Sequence, residues 1–232
     1  MLSAVLLALL SGCLYPEQRR SENRAAVAES VLVVQNAIEQ YKQKTGVLPI
    51  KNSEPDTPVY EKYVIDMKRL TQGPYLGKVP AIAFENGGKY LFVLIHPETK
   101  PEVRLLDIAA YQLAAEVQRE ADAFKSAHGK LPLGEQAGTN VYRLDFSQMG
   151  KPVRQVQSPF SQQFLGFLID VNGTVGIDYA PEIAKAMQAK GIASAEPGAD
   201  LRTYLVESSP FVPVRSFAYY WVDQEPRPAA PQ

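Results

Sequence analysis

The chain has 232 residues, of which 46% are hydrophobic and 21% charged, the composition of an ordinary folded protein. Its formal net charge of -1 supplies no long-range field that would collect nucleic acid, so we predict no nucleic-acid partner. A single cysteine excludes an intramolecular disulfide and a cysteine-rich metal site, and no motif calls for a metal or another cofactor.

The N-terminus has the features of an export signal. Residues 2–10 are apolar apart from Ser3, a run shorter than the roughly 20 residues of a membrane-spanning helix but typical of a signal peptide. The run leads into Leu-Ser-Gly-Cys at residues 10–13, which resembles the bacterial lipobox, where the cysteine receives diacylglycerol. We therefore predict a signal peptide over residues 1–12 and a lipid anchor at Cys13. The alternative is an N-terminal core strand with a buried cysteine.

This anchor makes the membrane the first expected partner, reached through the N-terminal lipid. We predict attachment to the extracytoplasmic face of the cell membrane, with residues 13–21 as anchor and linker. Arg19 and Arg20 lie close enough to the cysteine to contact anionic headgroups, although so short a basic pair also suits a solvated linker.

An internal repeat is the most informative feature of the rest of the chain. Residues 34–50 recur as residues 117–133 at a constant offset of 83. Six of these 17 aligned pairs are identical, whereas ordinary composition gives about one by chance. We interpret residues 22–107 and 108–180 as two tandem copies of one structural unit.

Each copy is predicted to begin with a helix. Apolar side chains recur at steps of three and four, as expected for one face of a helix; they are Val27, Val31, Val34, Ile38 and Tyr41 in the first copy and Ala110, Leu113, Val117, Ala121 and Phe124 in the second. Asp107 is positioned to cap the second helix. Gly46 and Gly129 suit the left-handed position just past each helix.

The remainder of each copy predicts antiparallel strands, over residues 89–95 and 103–107 and over residues 164–169 and 174–179. Asn-Gly pairs at residues 86–87 and 172–173 predict tight type I′ turns. The predicted class is therefore α+β: two tandem copies of a helix packed on a small antiparallel sheet, plus a short C-terminal segment.

The C-terminal segment, residues 181–223, combines helical and aromatic stretches. We predict a helix over residues 181–191, a further candidate helix over residues 200–207 and a strand over residues 216–222. Residues 224–232 contain three prolines and are predicted to be a disordered tail.

Two local patterns resemble known families. The helix end at residues 37–49, with Tyr41, Lys42, Gly46, Leu48 and Pro49, looks like the helix-to-loop junction of type II secretion pseudopilins. A lipobox stands where pseudopilins carry their long apolar helix, so filament assembly is not implied.

The second resemblance spans most of the chain. Residues 10–17, 45–50, 83–88 and 209–214 are similar to YphF-type lipoproteins of Bacillus-like bacteria. This resemblance implies a Gram-positive cell and an anchor on the outer leaflet of the cytoplasmic membrane, and the family brings no activity to transfer.

No catalytic motif of a metalloprotease, serine hydrolase or phosphate-binding loop is present in the sequence. His96 and His128 are interpreted as structural. If Asn172 and Gly173 are the two turn residues, Asp170 and Asp178 lie on opposite faces of the sheet and cannot form an acid/base pair. Asp66 and Asp145 recur at matching repeat positions and are predicted to cap turns. We name no catalytic residue.

The remaining candidate is an aromatic stretch near the C-terminus, with Phe211, Tyr219, Tyr220 and Trp221 as candidate partner-binding residues. The alternative is a core strand with one aromatic face.

The sequence thus favours a membrane-anchored, non-enzymatic binding or assembly factor of the cell envelope, whose partner is an envelope protein or the cell wall. The rival hypothesis is a polysaccharide-binding module or a polymer-modifying enzyme, so enzymatic activity stays an open question.

Overall fold

The computed structural model describes residues 15–231, with side chains from Arg24 onward. Within that range the α+β class is confirmed. The α-helices are α1 (Tyr15–Thr45), α2 (Met67–Gln72), α3 (Ile108–His128), α4 (Ala180–Ala189) and α5 (Thr203–Ser208). The strands are β1 (Tyr90–Ile95), β2 (Glu102–Asp107), β3 (Leu133–Gly138), β4 (Val141–Leu144), β5 (Val156–Gln157), β6 (Phe164–Leu165), β7 (Phe167–Asp170), β8 (Val175–Ile177), β9 (Ala218–Val222) and β10 (Glu225–Ala229).

The first unit packs α1 on the antiparallel pair β1–β2. Its core includes Val34 and Ile38, which are buried on the predicted face of the helix, together with Leu70 of α2. Gly46 ends α1 in the left-handed conformation, with φ of 75°, and its N–H donates to Lys42 O at 2.8 Å. The chain then returns beside β1 through isolated bridges of Ile50 with Ile65 and of Val64 with Val93.

The second unit packs α3 on a four-stranded antiparallel sheet in the order β3-β4-β7-β8. Asp107 caps α3 as predicted, accepting a hydrogen bond from Ala110 N at 3.0 Å. Val117 and Ala121 are buried on the face of α3 that was expected to enter the core. Strands β5 and β6 form a separate small hairpin.

The two units share local geometry. Val34 and Val117 are both fully buried, with 0% exposure. The N–H of Asp66 donates to Pro49 O at 2.7 Å, and the N–H of Asp145 donates to Pro132 O at 3.0 Å. In each unit, the residue after the Leu-Pro pair therefore begins a strand-like path beside the segment that contains the aspartate.

Residues 209–216, here called the connecting segment, join the two units by backbone hydrogen bonds. Leu105 N on β2 donates to Pro210 O at 2.8 Å, and Val212 N donates back to Leu105 O at 3.0 Å. On the second unit, Ile177 N on β8 donates to Arg215 O at 2.8 Å. The outer edges of β2 and β8 are thus both covered by one short stretch of chain, which satisfies backbone groups that an open edge would leave unpaired.

The prediction of a disordered tail over residues 224–232 is wrong, because β10 pairs with β9 and lies against β3. Pro228 O accepts a hydrogen bond from Thr139 N at 3.1 Å, and Ala230 N donates to Thr139 O at 3.2 Å. The backbone N and C=O groups of the even-numbered residues of β10 therefore point toward β3. Because Pro226 and Pro228 are both even-numbered, the N–H groups that they lack are not needed for pairing with β9. The proline-rich composition of this stretch suggested disorder. Because Pro226 and Pro228 are separated by one residue, they lie on the same edge of β10 and leave its other edge free to pair.

The predicted type I′ turn at residues 172–173 is also wrong. Ile169 pairs with Val175 and Phe167 with Ile177, which leaves a loop one residue longer than expected. Asp170 Oδ1 accepts hydrogen bonds from Asn172 N at 2.9 Å and from Thr174 N at 2.7 Å, which stabilises this wider turn. The one-residue shift in register moves Asp178 to the other face of the sheet.

The type I′ turn predicted at residues 86–87 is also wrong, because no hairpin forms there. A single 3-10 turn, Phe84–Asn86, precedes Gly87, which is left-handed with φ of 76°. Asn86 does not adopt the positive φ that a type I′ turn requires at both central residues.

Candidate functional site

The predicted signal peptide and Cys13 lie outside the described residues. Helix α1 is described from Tyr15, and among its described side chains, from Arg24 onward, Val27 and Val31 are the first that pack on the body. Within the described part of the chain, no helix has both the length and the apolar character needed to cross a membrane.

Tyr219, one of the candidate partner-binding residues, is core. Its side chain is fully buried, its hydroxyl donates to Asp178 Oδ1 at 3.2 Å, and it accepts a hydrogen bond from Tyr179 N at 2.9 Å. Burial, reinforced by the Asp178 carboxylate, raises the pKa of Tyr219 well above its usual value. Tyr219 is therefore not available to a partner in this structure, which corrects that part of the prediction.

Phe211, Tyr220 and Trp221 are half-buried. The Phe211 ring packs at 5.3 Å from the Tyr90 ring, measured between centroids, and Phe211 forms a bridge with Leu105 of β2. Phe211 thus mainly fixes the connecting segment to the first unit. Tyr220 and Trp221 keep part of their surface open, so these two of the candidate residues remain, and as consecutive residues of β9 they point to opposite faces of the strand.

Asp66 and Asp145 cap local turns, as predicted. Asp66 Oδ1 accepts hydrogen bonds from Lys68 N at 3.1 Å and Arg69 N at 3.3 Å at the start of α2. Asp145 Oδ1 accepts from Ser147 Oγ at 2.5 Å and from Ser147 N at 2.9 Å. Hydrogen bonds from Ser147 and Gln148 lower the pKa of Asp145 to about 2, because they favour its charged form.

Asp170 and Asp178 do not cooperate, although the reason differs from the expected one. By strand register the two aspartates lie on the same face of the sheet. Asp178 lies opposite Gly166, which precedes Asp170 by four residues, so the two aspartates are separated by about 13 Å along the strand direction. Asp170 stabilises its own turn. Asp178 Oδ2 accepts from Arg143 at 3.3 Å, and Asp178 Oδ1 accepts from Ala180 N at 3.1 Å.

A buried ionic cluster that sequence reasoning missed lies where the two units meet. Glu61 has 8% exposure, and its Oε1 accepts a hydrogen bond from Arg215 N at 2.6 Å. The Arg215 guanidinium lies 4.5 Å from the Tyr111 ring centroid. Its Nε lies 3.9 Å from Glu61 Oε2 and has no hydrogen-bond partner among the described residues. Burial raises the pKa of Glu61, an effect that exceeds the opposing pull of Arg215.

Arg215 also has a positive φ of 52°, a backbone conformation that non-glycine residues seldom adopt. This conformation directs its N–H to Glu61 and its carbonyl to Ile177. A positive-φ arginine has no signature in a single sequence, and Glu61 and Arg215 are far apart in the chain. Only the fold brings the pair together.

The two histidines lie in a turn and at a helix end. His96 is exposed in the turn between β1 and β2, with φ of 50°. His128 stacks on Phe124 at the end of α3, with ring centroids 4.4 Å apart. Among the described residues, no group of three or more His, Cys, Asp and Glu side chains is arranged to hold a metal ion.

Residues 27–107 match the family model described as the YphF family N-terminal domain. This segment is similar to the YphF family N-terminal domain. The match begins at Val27, a residue of α1 that packs on the body, and ends at Asp107, the last residue of β2 and the cap of α3. The family resemblance is confirmed for this part of the chain. No curated protein and no solved structure matches the chain significantly.

Proposed function

We propose that this protein is a membrane-anchored extracytoplasmic lipoprotein that serves as a non-enzymatic binding or assembly factor of the cell envelope. The anchor is Cys13, the only cysteine in the sequence, at the end of a lipobox-like motif. The structure describes helix α1 from Tyr15, and Val27 is the first of its described side chains to pack on the body. At about 1.5 Å per residue, residues 15–26 span about 18 Å, and we propose that they separate the lipid from the folded domain.

The observation that carries the binding role is the use of the carboxylates. The aspartates that stood out in the sequence are each engaged in turn caps or buried hydrogen bonds, as described for Asp66, Asp145, Asp170 and Asp178. A carboxylate that already accepts backbone N–H groups is poorly placed to exchange protons with a substrate. By contrast, Tyr220 and Trp221 are half-buried on opposite faces of β9, so each ring keeps part of its surface open to a partner.

We also infer that the scaffold consists of two copies of one unit. The matching bonds of Asp66 and Asp145 and the equal burial of Val34 and Val117 support this inference. Residues 108–180 are then a second, diverged unit of the YphF N-terminal type, and the connecting segment holds the two together.

Crosslinking followed by purification of the full-length chain from native membranes tests the partner role. We expect a specific partner to be recovered, and its recovery to be lost when Tyr220 and Trp221 are both changed to Ala. The matched control is Phe84→Ala, because Phe84 is 54% exposed and lies on the first unit. Equal recovery of the partner with the native chain, the double variant and Phe84→Ala would contradict a role of Tyr220 and Trp221 in partner binding.

A second candidate function is binding of a cell-wall polymer, favoured by the same two rings because aromatic faces pack on sugars. Sedimentation of the full-length chain with insoluble cell wall distinguishes the two candidates. Co-sedimentation that depends on Trp221 supports the polymer, whereas a chain that stays in the supernatant and still crosslinks to a protein supports the first candidate.

A further inference from the structure

The outer edge of β5 is open. Among the described strands, β5 pairs with β6 alone, and residues 152–155, which lead into β5, make no backbone hydrogen bond with another part of the described chain. Ser158 N donates to Gln163 O at 2.8 Å, so Gln157 and Phe164, the next pair in the register, form a non-hydrogen-bonded pair. The N–H and C=O groups of Gln157 therefore point away from β6, toward the open edge.

Burial alternates along this edge as it does along a strand. Val153, Gln155 and Gln157 are exposed, whereas Arg154 is half-buried and Val156 is buried. Side chains and backbone groups both alternate in a strand, so the exposed odd-numbered residues are also those whose N–H and C=O groups point to the open edge. Residues 153–157 thus present a regular series of unpaired donors and acceptors to an additional strand.

The exposed face beside this edge is uncharged. Val153 is 77% exposed and Phe164 is 65% exposed, the two largest values among the large hydrophobic side chains of the described chain. Phe164 lies opposite Gln157, so its ring shares the face of Val153 and Gln155. Soluble proteins usually protect an open strand edge with charged side chains. On this face none of the four residues carries a charge.

Contacts on the opposite face hold the hairpin in place. Arg154 lies 3.2 Å from Glu116 Oε2 and 3.1 Å from Glu120 Oε1, both on α3. At the other end of the hairpin, Ser161 Oγ donates to Glu182 Oε1 on α4 at 2.7 Å. An edge that is already fixed by the fold loses little conformational entropy when a strand is added to it.

The edge is complementary to itself. In an antiparallel pairing about a two-fold axis at Gln155, this residue lies opposite its own counterpart, and Val153 lies opposite Gln157 of the other copy. Every outward N–H and C=O group from Val153 to Gln157 then has a partner. Pro152 is even-numbered, so the N–H that it lacks is not needed.

The charges are compatible with this pairing. The uncharged faces of the two copies continue into one another, which places Val153 of one copy next to the row of Gln157 and Phe164 of the other. Arg154 lies on the opposite face and is already neutralised by its two glutamates. No charge on the edge would attract a partner of opposite charge, whereas a second copy satisfies the whole series of backbone groups.

We propose that the open edge of β5 is a self-association surface, at which two copies of this chain pair antiparallel through residues 153–157. The pairing extends the β5–β6 hairpin into a four-stranded sheet across the two-fold axis. This surface belongs to the second unit, is separate from Tyr220 and Trp221, and does not depend on the function proposed above.

Sedimentation equilibrium of the full-length chain tests the association. The interface is small, so we expect a monomer–dimer equilibrium with a Kd of about 100 µM or tighter. Gln155→Lys places two ammonium groups directly opposite each other and should raise this Kd by about tenfold or more. Gln155→Glu should do the same, and an equimolar mixture of the two variants should restore the association. The control is Gln40→Lys, the same change at an exposed position of α1, which should leave the Kd unchanged.

Cysteine crosslinking tests the register. A Cys13→Ser background makes each introduced thiol the only one in the chain. Gln155→Cys lies on the axis with its two Cα atoms about 5.5 Å apart, which suits a disulfide, so mild oxidation should give a covalent dimer. The two copies of Val153→Cys lie about 13 Å apart along the strand direction. Val153→Cys should therefore not crosslink alone, but should crosslink when mixed with Gln157→Cys.

Two kinds of result would overturn the proposal. The first is a chain that stays monomeric at about 500 µM, or a dimer whose Kd Gln155→Lys leaves unchanged. The second is failure of Gln155→Cys to crosslink, or crosslinking of Val153→Cys alone as efficiently as Gln155→Cys, since either contradicts antiparallel pairing about Gln155.

Discussion

Gln35 of α1 and Gln118 of α3 make the same set of hydrogen bonds at corresponding points of two β-hairpins. Gln35 Oε1 accepts from Val103 N at 2.8 Å, while its Nε2 donates to Pro101 O at 3.0 Å and to Glu39 Oε1 at 2.8 Å. Gln118 Oε1 accepts from Val175 N at 2.7 Å, and its Nε2 donates to Gly173 O at 2.8 Å and to Asp122 Oδ1 at 2.9 Å. Each amide therefore ties its helix to the start of the return strand of its hairpin.

We predict that Gln35→Ala and Gln118→Ala each lower the free energy of unfolding by about 1–3 kcal/mol, because each leaves a backbone N–H and C=O without partners. Denaturant unfolding of the purified chain measures this loss. Gln40→Ala and Gln112→Ala are the matched controls, since both glutamines are exposed on the same two helices. A loss confined to one of the two units would contradict the equivalence of the helices.

Tyr219 and its neighbour Tyr220 allow a direct test of which aromatic ring belongs to the core. Tyr219→Phe removes the hydroxyl that donates to Asp178 and accepts from Tyr179 N. We expect it to cost about 1–3 kcal/mol, because a buried N–H is left unpaired. Tyr220→Phe should change stability by less than about 0.5 kcal/mol. Equal effects in thermal unfolding would mean that Tyr219 is not the buried ring of the pair.

Gly138 tests whether the end of the chain is part of the fold. A Cβ at this position would lie 1.9 Å from Pro228 O, so Gly138→Ala must displace β10 from β3. We expect a lower melting temperature and faster proteolysis near residues 225–230. Gly166→Ala is the control, because a Cβ added there would have no atom within 4 Å and the φ of Gly166 is not positive. Unchanged melting and proteolysis of Gly138→Ala would contradict the docking of β10.

Glu61 gives stability a defined dependence on pH. The pKa of Glu61 is raised in the folded state. Its stabilising contribution to the free energy of unfolding is therefore fully present below the pKa that Glu61 has in the unfolded chain, and it is lost as the pH rises through the pKa of the folded state. Glu61→Gln keeps an oxygen for Arg215 N but carries no charge. The stability of this variant relative to the native protein should therefore increase from about pH 4 to about pH 7.

Denaturant unfolding across this pH range follows that difference, with Glu98→Gln as the control because Glu98 is exposed in the turn between β1 and β2. Arg215 lies 3.9 Å from Glu61 Oε2, so the absolute stability of Glu61→Gln also reflects the loss of that contact. The slope with pH is the decisive quantity. A difference that stays constant, or that decreases with pH, would contradict a raised pKa.

Local signals in the sequence were sufficient for α1, α3, α4 and α5 and for several caps, but the short helix α2 was not predicted. The apolar spacing of Val34 and Ile38 identified the buried face of α1, and Asp107 was recognisable as a cap because its effect reaches only three residues. The register of β7 with β8 was not predictable from Asn172 and Gly173, because the side chain of Asp170 selects a different turn. The hydrogen bonds of one side chain within a turn thus decide which face of the sheet each residue of the following strand occupies.

Long-range contacts account for the remaining differences. The strand β10 depends on pairing with β9 and β3, and no local pattern distinguishes its prolines from those of a flexible tail. Glu61 and Arg215 meet across two units, and neither belongs to a motif.

Metabolic labelling with a radioactive fatty acid, applied to the native chain and to Cys13→Ser in the same bacterial host, tests the proposed membrane anchor most directly. We predict that the native chain incorporates label and is shortened by loss of residues 1–12. The Cys13→Ser variant should carry no label and remain as the unprocessed precursor. Equal labelling of both proteins, or a native chain that carries no lipid, would contradict the account.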